Sequence, residues 1–409
     1  MRLLTGAIRP YAWGSRTALA ELRGAAVPSQ YPEAELWFGA HPGDPATAGP
    51  ENISLLTIID SDPDSQLGRY CVAEFAGRLP FLMKVLAADE PLSLQAHPSS
   101  EQAREGFARE NAAGLAMNDP ERNYRDDSHK PELVVALTEF EALAGFRQPA
   151  RTIELLRALQ VPELDPYLGM IAGEPDSQGL RALFTTWITL PESMLAKLIP
   201  AVLDGAVACL ARGAGDQADE LKTVLQLGES YPRDPGVLAA LLLNRIRLQP
   251  GQGLFMRAGN LHAYLSGTAV EIMANSDNVL RGGLTPKHVD VPELLKVLDF
   301  HPISPADLAP RITELGAEQI YQTAVPEFRL SRIELDGTGL RRPGSISFDM
   351  PGPQILVCVQ GAIELRSGVG TLTARSGQAV WLADGDPDVV VRAASAQAVF
   401  FRGIVPVAS

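Results

Sequence analysis

A chain of 409 residues exceeds one ordinary hydrophobic core, and 46% apolar with 21% charged residues is the composition of a soluble globular protein of two or three domains. The formal charge of −14 repels polyanions, which argues against a nucleic-acid groove and against anionic membrane surfaces. Cys71, Cys209 and Cys358 lie far apart with no CxxC, so neither a disulfide framework nor a thiolate zinc site is expected.

Residues 1–14 lack a basic stretch followed by an apolar one, and no uncharged apolar run approaches the roughly 18 residues of a membrane span. A cytoplasmic, unanchored protein is expected. Over 1–148, apolar runs at 53–59, 81–87, 92–95, 133–137 and 143–146 alternate with Gly, Pro and Asp turns, which predicts short strands, with a helix around 100–110. From Arg151 the period changes. Ile153, Leu155, Leu156 and Leu159, then Met194, Leu195, Leu198, Ile199 and Val202, then Val237, Leu238, Leu241, Leu242 and Ile246 recur at three- and four-residue steps. That spacing predicts amphipathic helices over 149–249.

Strand patterning returns after Pro250-Gly251-Gln252-Gly253, with strands predicted at 254–256, 261–265 and 270–273 and a helix at 292–298. From about Ile320 further strands at 328–335, 354–360, 362–366, 370–374, 379–382, 389–391 and 398–401 suggest a small barrel or sandwich. The fold class is therefore mainly β with a helical insertion. A discontinuous β unit of 1–148 and 250–319 is expected, with a helical unit of 149–249 and a C-terminal β unit of 320–409.

Four residues stand out as metal ligands. Gln95 and His97 close a predicted strand two positions apart, so both side chains project to one face. Glu132 opens another strand, and His262 follows the turn Gly259-Asn260-Leu261. Two neutral imidazoles, a carboxylate and an amide oxygen leave a divalent ion electrophilic and open to further ligands, a composition suited to catalysis. A single buried histidine is ordinarily a hydrogen-bonded core residue, but four such residues in strand and turn contexts outweigh that reading. His41, His288 and His301 keep it. In 271–287, Arg281 and Lys287 bracket a glycine turn, an arrangement able to hold a phosphate or a developing oxyanion, and Lys130 beside Glu132 adds to the positive field. Taken singly, each of these charges would be read as a solvated loop residue.

The chain resembles the type I mannose-6-phosphate isomerase family, the zinc-dependent phosphomannose isomerases. The likeness lies in Tyr11-Ala12-Trp13-Gly14, Glu35-Leu36-Trp37-Phe38-Gly39-Ala40-His41-Pro42, Pro80-Phe81-Leu82-Met83-Lys84-Val85-Leu86, the Gln95 and His97 motif, His129-Lys130-Pro131-Glu132-Leu133, Gly259-Asn260-Leu261-His262-Ala263-Tyr264, and residues 276–287. It departs at Arg257, where the family usually has Pro, and in the looser Tyr11-Ala12-Trp13 form. The resemblance implies two cupin-like β-barrel or jelly-roll domains, the first split by an α-helical domain. It also implies one zinc ion per chain on Gln95, His97, Glu132 and His262, with Arg281 catalytic. No His follows His301, so a second cupin would have no two-His metal site.

The implied reaction interconverts mannose 6-phosphate and fructose 6-phosphate through a cis-enediol, feeding mannose and GDP-mannose metabolism. Its proton carrier is left among Lys130, Asp277 and Glu271. The phosphate is expected on Lys287, Lys130 or Lys84, with Ser93, Tyr264 and Trp13 as further substrate contacts. The expected partner is a small sugar phosphate, with no nucleic acid or membrane, and the expected state is a monomer. A cupin Fe(II) oxygenase and a non-catalytic sugar-binding protein are the competing readings.

Overall fold

The computed structural model describes all residues except 341, 349, 350, 387 and 407–409, so the last three positions of the expected C-terminal unit lie outside the described residues. One sheet of ten strands holds the centre of the molecule. Its main path runs Leu243–Leu248, Phe140–Phe146, His262–Ala274, Phe81–Ala88, Glu35–Phe38 and Ala7–Arg9. Leu94–Ala96, Leu280–Gly283, Glu132–Ala136 and Gly253–Met256 branch from that path.

The strand His262–Ala274 is the organiser, because its two halves have different partners. Its start pairs with Leu94–Ala96 and Phe140–Phe146, and its end pairs with Phe81–Ala88 and Glu132–Ala136. The switch falls at Gly267, where φ is +109° and an added Cβ would lie 2.4 Å from the Glu139 carbonyl oxygen. Only glycine turns this corner without a clash.

Alternation assigns the two faces of this sheet. Leu36, Phe38, Met83, Val85, Leu133, Val135, Val270 and Ile272 face a second, nine-stranded sheet and pack with its Ile355, Val357 and Phe401. That sheet runs Arg311–Leu315, Glu318–Gln322, Arg329–Asp336, Gln397–Ile404, Gln354–Gln360, Ala379–Leu382, Arg2–Thr5, Thr47–Ala48 and Ile53–Ser54. A four-stranded sheet, Ser345–Phe348, Val389–Ala393, Ala362–Ser367 and Gly370–Arg375, accompanies it. The pair shares a core that includes Leu356, Ile363, Leu365, Val391 and Phe400.

Six α-helices, Pro149–Leu159, Asp165–Gly173, Ser177–Ile188, Glu192–Arg212, Ala218–Ser230 and Gly236–Ala240, form the helical unit among the described residues. Their core runs on into Leu94, Leu143, Phe146 and Leu280 of the central sheet and into Leu261 of the turn before His262. Glu192–Arg212 is long and apolar enough to cross a membrane by length and composition, but its Leu195, Leu198, Ile199 and Val202 are packed in this core.

Several expectations are corrected. Of the expected barrel or jelly-roll forms, the closed barrel is not found: the sheets are open among the described residues. The helical pattern does not reach 249, because Leu243–Leu248 is a strand paired with Phe140–Phe146. Its Ile246 and Leu248 enter the core, while Arg245 and Arg247 between and beside them reach Glu141, a period of two rather than 3.6. The run at 53–59 is a strand for only Ile53–Ser54; from Leu55 it is the helix Leu55–Ser61, with Ser54 accepting from the Thr57 N–H as its N-cap. The nine-stranded sheet also begins before 320, at Arg311–Leu315, and takes in N-terminal strands.

Candidate metal centre and its cavity

The face of the central sheet opposite the sheet-to-sheet core carries charge. Glu35, Lys84, Glu132 and Glu271 occupy the alternate positions that point away from it, with Lys84 paired in register with Trp37 on one side and Glu271 on the other. The alternation that buries Val85, Val135 and Val270 thus aims four ionisable side chains into one space. All four are buried.

His97 follows the strand Leu94–Ala96, and His262 is the register partner of Gln95. The turn ahead of His262 needs Gly259, whose φ is +80° and whose Cβ would press the main chain of Val297 and Asp299 at 3.0 Å. The Gly259 N–H donates to the His97 carbonyl oxygen at 2.9 Å, so the turn locks the two histidines together. Their rings are 5.2 Å apart.

Each imidazole donates Nδ1–H to a main-chain carbonyl, His97 to Asn278 at 2.7 Å and His262 to Asn260 at 3.0 Å. This fixes both tautomers with Nε2 unprotonated and aimed at Glu132, 3.3 Å from its Oε1 for His97 and 3.2 Å from Oε2 for His262. Two lone pairs and a carboxylate so close together need a cation between them. The donor atoms of His97, Glu132 and His262 lie within 4.8 Å of one another, and the buried His97 Nε2 has no hydrogen-bond partner. Burial pushes the His97 imidazole down to about 4, which keeps it a neutral ligand. Burial alone would raise the Glu132 carboxyl, but the Lys130 ammonium, 3.1 Å away, pulls it down, and it lies well below its ordinary value. Gln95 donates its amide nitrogen to Ser93 Oγ at 3.2 Å, leaving its carbonyl oxygen as a fourth donor. These residues fit a zinc ion.

A cavity of about 580 Å³ opens over this centre. Trp13, Lys84, Ser93, Gln95, Lys130, Glu132, His262, Tyr264, Glu271, Asp277, Arg281 and Lys287 all line it, and His97 sits behind Glu132. Not all of them are free to act. Lys84 Nζ is 2.7 Å from Glu271 and 3.2 Å from Glu35, Glu35 accepts from Trp37 Nε1 at 2.8 Å, and Tyr264 donates to Glu271 at 2.5 Å. Burial works to lower the Lys84 pKa, but Glu271, Glu35 and Glu132 outweigh it and hold the ammonium charged. The Lys84 charge is therefore balanced within the wall by Glu271 and Glu35. At the other end, burial and then repulsion by Arg125 lower the Arg281 pKa, and burial followed by Arg281 and Arg125 lowers that of Lys287. This end is positive and undercompensated.

Three residues of this region were not read as functional from the sequence. Arg125 lines the cavity, and Asn278 bridges two of its loops. His41, for which the sequence suggests an ordinary structural role, lines the cavity with Nε2 3.4 Å from Asp277 Oδ1. Its Nδ1 accepts the Gly43 N–H at 3.1 Å, so Nε2 carries the proton that faces the carboxylate. That contact holds Asp277 below the usual carboxylate range. The signal for His41 is its place in the 35–42 motif and that for Asn278 its place in 276–287; Arg125 carries no local signal. His129 is drawn away from the centre by Glu327, 2.6 Å from its Nε2, and His288 and His301 lie outside the cavity lining.

The family model for the phosphomannose isomerase type I catalytic domain matches residues 1–149. The chain is 38% identical over 395 residues to a mannose-6-phosphate isomerase of Escherichia coli, covering 96% of this chain and 97% of the relative. It is 34% identical over 389 residues to the Homo sapiens mannose-6-phosphate isomerase, with 88% and 87% covered. Among solved structures, a mannose 6-phosphate isomerase bound with zinc and yttrium matches at a TM-score of 0.89 and 36% identity, with 100% of both chains covered.

Proposed function

The chain belongs to the type I phosphomannose isomerase family, and we propose on that footing that it interconverts mannose 6-phosphate and fructose 6-phosphate with one zinc ion held by Gln95, His97, Glu132 and His262. The observation that carries this is the buried trio of His97, Glu132 and His262, whose imidazoles are turned by main-chain carbonyls so that both Nε2 atoms face one carboxylate. The bound ion supplies Lewis acidity toward substrate oxygens without a change of oxidation state.

The chain's own groups then divide the work. Moving a proton between C1 and C2 through a cis-enediol needs a base at the carbon and positive charge at the oxygens. Asp277 is the base this geometry favours: it faces the cavity and stays ionised, whereas Glu132 belongs to the metal set and Glu271 is taken by Lys84 and Tyr264. Lys130, tied to Glu132, is placed to pass a proton to or from a substrate oxygen rather than to a carbon. Arg281 presents a planar, permanently charged fork to the developing enediolate. Arg125, Lys287 and the outer face of Arg281 receive the phosphate, which relieves their mutual repulsion. Trp13 and Ser93 shape the sugar end of the cavity.

The test is metal content of the purified protein alongside a coupled assay from mannose 6-phosphate to fructose 6-phosphate, before and after chelation. Zinc and activity should leave together and return together when zinc is restored. Full turnover by demonstrably zinc-free protein overturns the reading.

A further inference from the structure

The segment 125–130, which carries Arg125 and Lys130, and the segment 276–281, which carries Asp277 and Arg281, are joined by one fully buried carboxamide. Asn278 Oδ1 accepts the main-chain N–H of Arg125 at 2.7 Å and of Asp126 at 3.2 Å. Its Nδ2 lies 2.8 Å from the Asp126 carbonyl oxygen, 3.1 Å from Asp126 Oδ1 and 2.8 Å from the Ser128 carbonyl oxygen. The main-chain carbonyl of the same residue accepts from His97 Nδ1 at 2.7 Å. Asp126 answers from the other side, accepting from Ser276 Oγ and from the Asp277 N–H, both at 2.8 Å.

Arg125 has an exposed side chain on a backbone pinned by this network. Asn278 and Asp126 together tie that backbone to the segment beside His97, and of these only Asn278 accepts from the Arg125 N–H itself. We propose that Asn278 is a positioning residue that sets the phosphate-binding end of the cavity against the metal centre, acting through the main chain of Arg125 and Asp126. The inference rests on the reading of Arg125 as a phosphate contact. It explains why an asparagine is required: an aspartate lacks the Nδ2 donors and would set a second carboxylate beside Asp126, while an aliphatic residue would strand the Arg125 and Asp126 N–H groups.

The experiment uses the zinc-loaded full chain and compares Asn278→Ala, Arg125→Ala and the double variant for zinc content, kcat, KM for mannose 6-phosphate and the inhibition constant of inorganic phosphate. In Asn278→Ala, zinc should be retained, and KM and the phosphate constant should rise roughly tenfold, the scale of one charge-assisted contact, with a smaller fall in kcat. The double variant should bind phosphate no more weakly than Arg125→Ala, because the two act through one contact. If Asn278→Ala does not fold, Asn278→Asp, which keeps Oδ1, should show the same direction of change. An unchanged phosphate constant in the Asn278 variant beside a raised one in Arg125→Ala overturns the positioning role alone. Fully multiplicative effects, or loss of zinc with loss of kcat, overturn it as well. An unchanged phosphate constant in Arg125→Ala removes the phosphate reading and this inference with it.

Discussion

Gln95 and Arg281 are register partners on adjacent antiparallel strands, and the other neighbour of Gln95 in the same sheet is His262. Directly opposed residues stand about 5 Å apart at Cβ and share one face of the sheet. The proposed amide ligand, one imidazole ligand and the proposed catalytic guanidinium are therefore placed by a single three-strand row, and their spacing is set by backbone hydrogen bonds rather than by loops.

Arg281→Ala should accordingly keep its zinc and lose turnover by about 10²–10³-fold, the range for removing one preorganised donor from a developing oxyanion. Arg281→Lys should recover only part of this, since an ammonium lacks the planar fork. Metal analysis and the coupled assay on the same preparations decide it. Loss of zinc from Arg281→Ala would mean that the row, and not the guanidinium, had been damaged.

Removing a ligand should act on both quantities together. His97→Ala, Glu132→Ala and His262→Ala should each lose bound zinc and isomerase turnover, and chelation should lower the thermal midpoint of the wild type, because zinc binds the folded site and not the open chain. In His97→Ala the midpoint should no longer respond to added zinc. A zinc-free His97→Ala protein that still turns over would refute the ligand assignment.

The contact of His41 with Asp277 gives a pH prediction. A carboxyl whose pKa is depressed stays ionised, and able to act as a base, down to a lower pH than usual; taking away the proton donor raises its pKa. The groups facing Asp277 are His41, Lys130, Arg125 and, through its main chain, Asp126. In His41→Leu the acid limb of kcat/KM should therefore move to higher pH while the alkaline limb stays. The pH profile is measured at saturating zinc. A limb that does not move would detach His41 from the base.

Much of this site is readable in the chain because its ligands occur within local motifs. Gln95 and His97 are two apart, Glu132 opens the alternating Leu133, Val134 and Val135, and His262 follows a glycine turn whose strain is itself a local property. What escaped the sequence is joined over distance. Asn278 reaches Arg125 across 153 positions and His97 across 181, and no periodicity registers such a pair. Strand spacing and family likeness leave a closed barrel and packed open sheets as alternatives, because whether two edges meet is decided by pairing that strand patterns do not encode. The strand Leu243–Leu248 was missed because Leu241, Leu242 and Ile246 extend a helical spacing into a segment whose Arg245 and Arg247 alternate with core residues.

Lys84 separates a structural cation from a substrate-binding one. It is buried between Glu35 and Glu271, and burial with neighbouring Glu132 already raises the Glu271 carboxyl against the pull of Lys84. Lys84→Met would leave two buried carboxylates without a counter-charge, at a cost of about 3–5 kcal/mol. The sign with pH follows. A carboxyl whose folded pKa is raised above its unfolded value contributes stability at low pH and loses it as pH rises through the folded pKa, so the deficit of the variant should grow as pH rises above the ordinary carboxylate range. Chemical denaturation of the zinc-saturated protein across a pH series reads this directly. The inhibition constant of inorganic phosphate should be unchanged in the same variant, since the phosphate is assigned to Arg125, Arg281 and Lys287. Undiminished stability together with weakened phosphate binding would make Lys84 a phosphate contact after all.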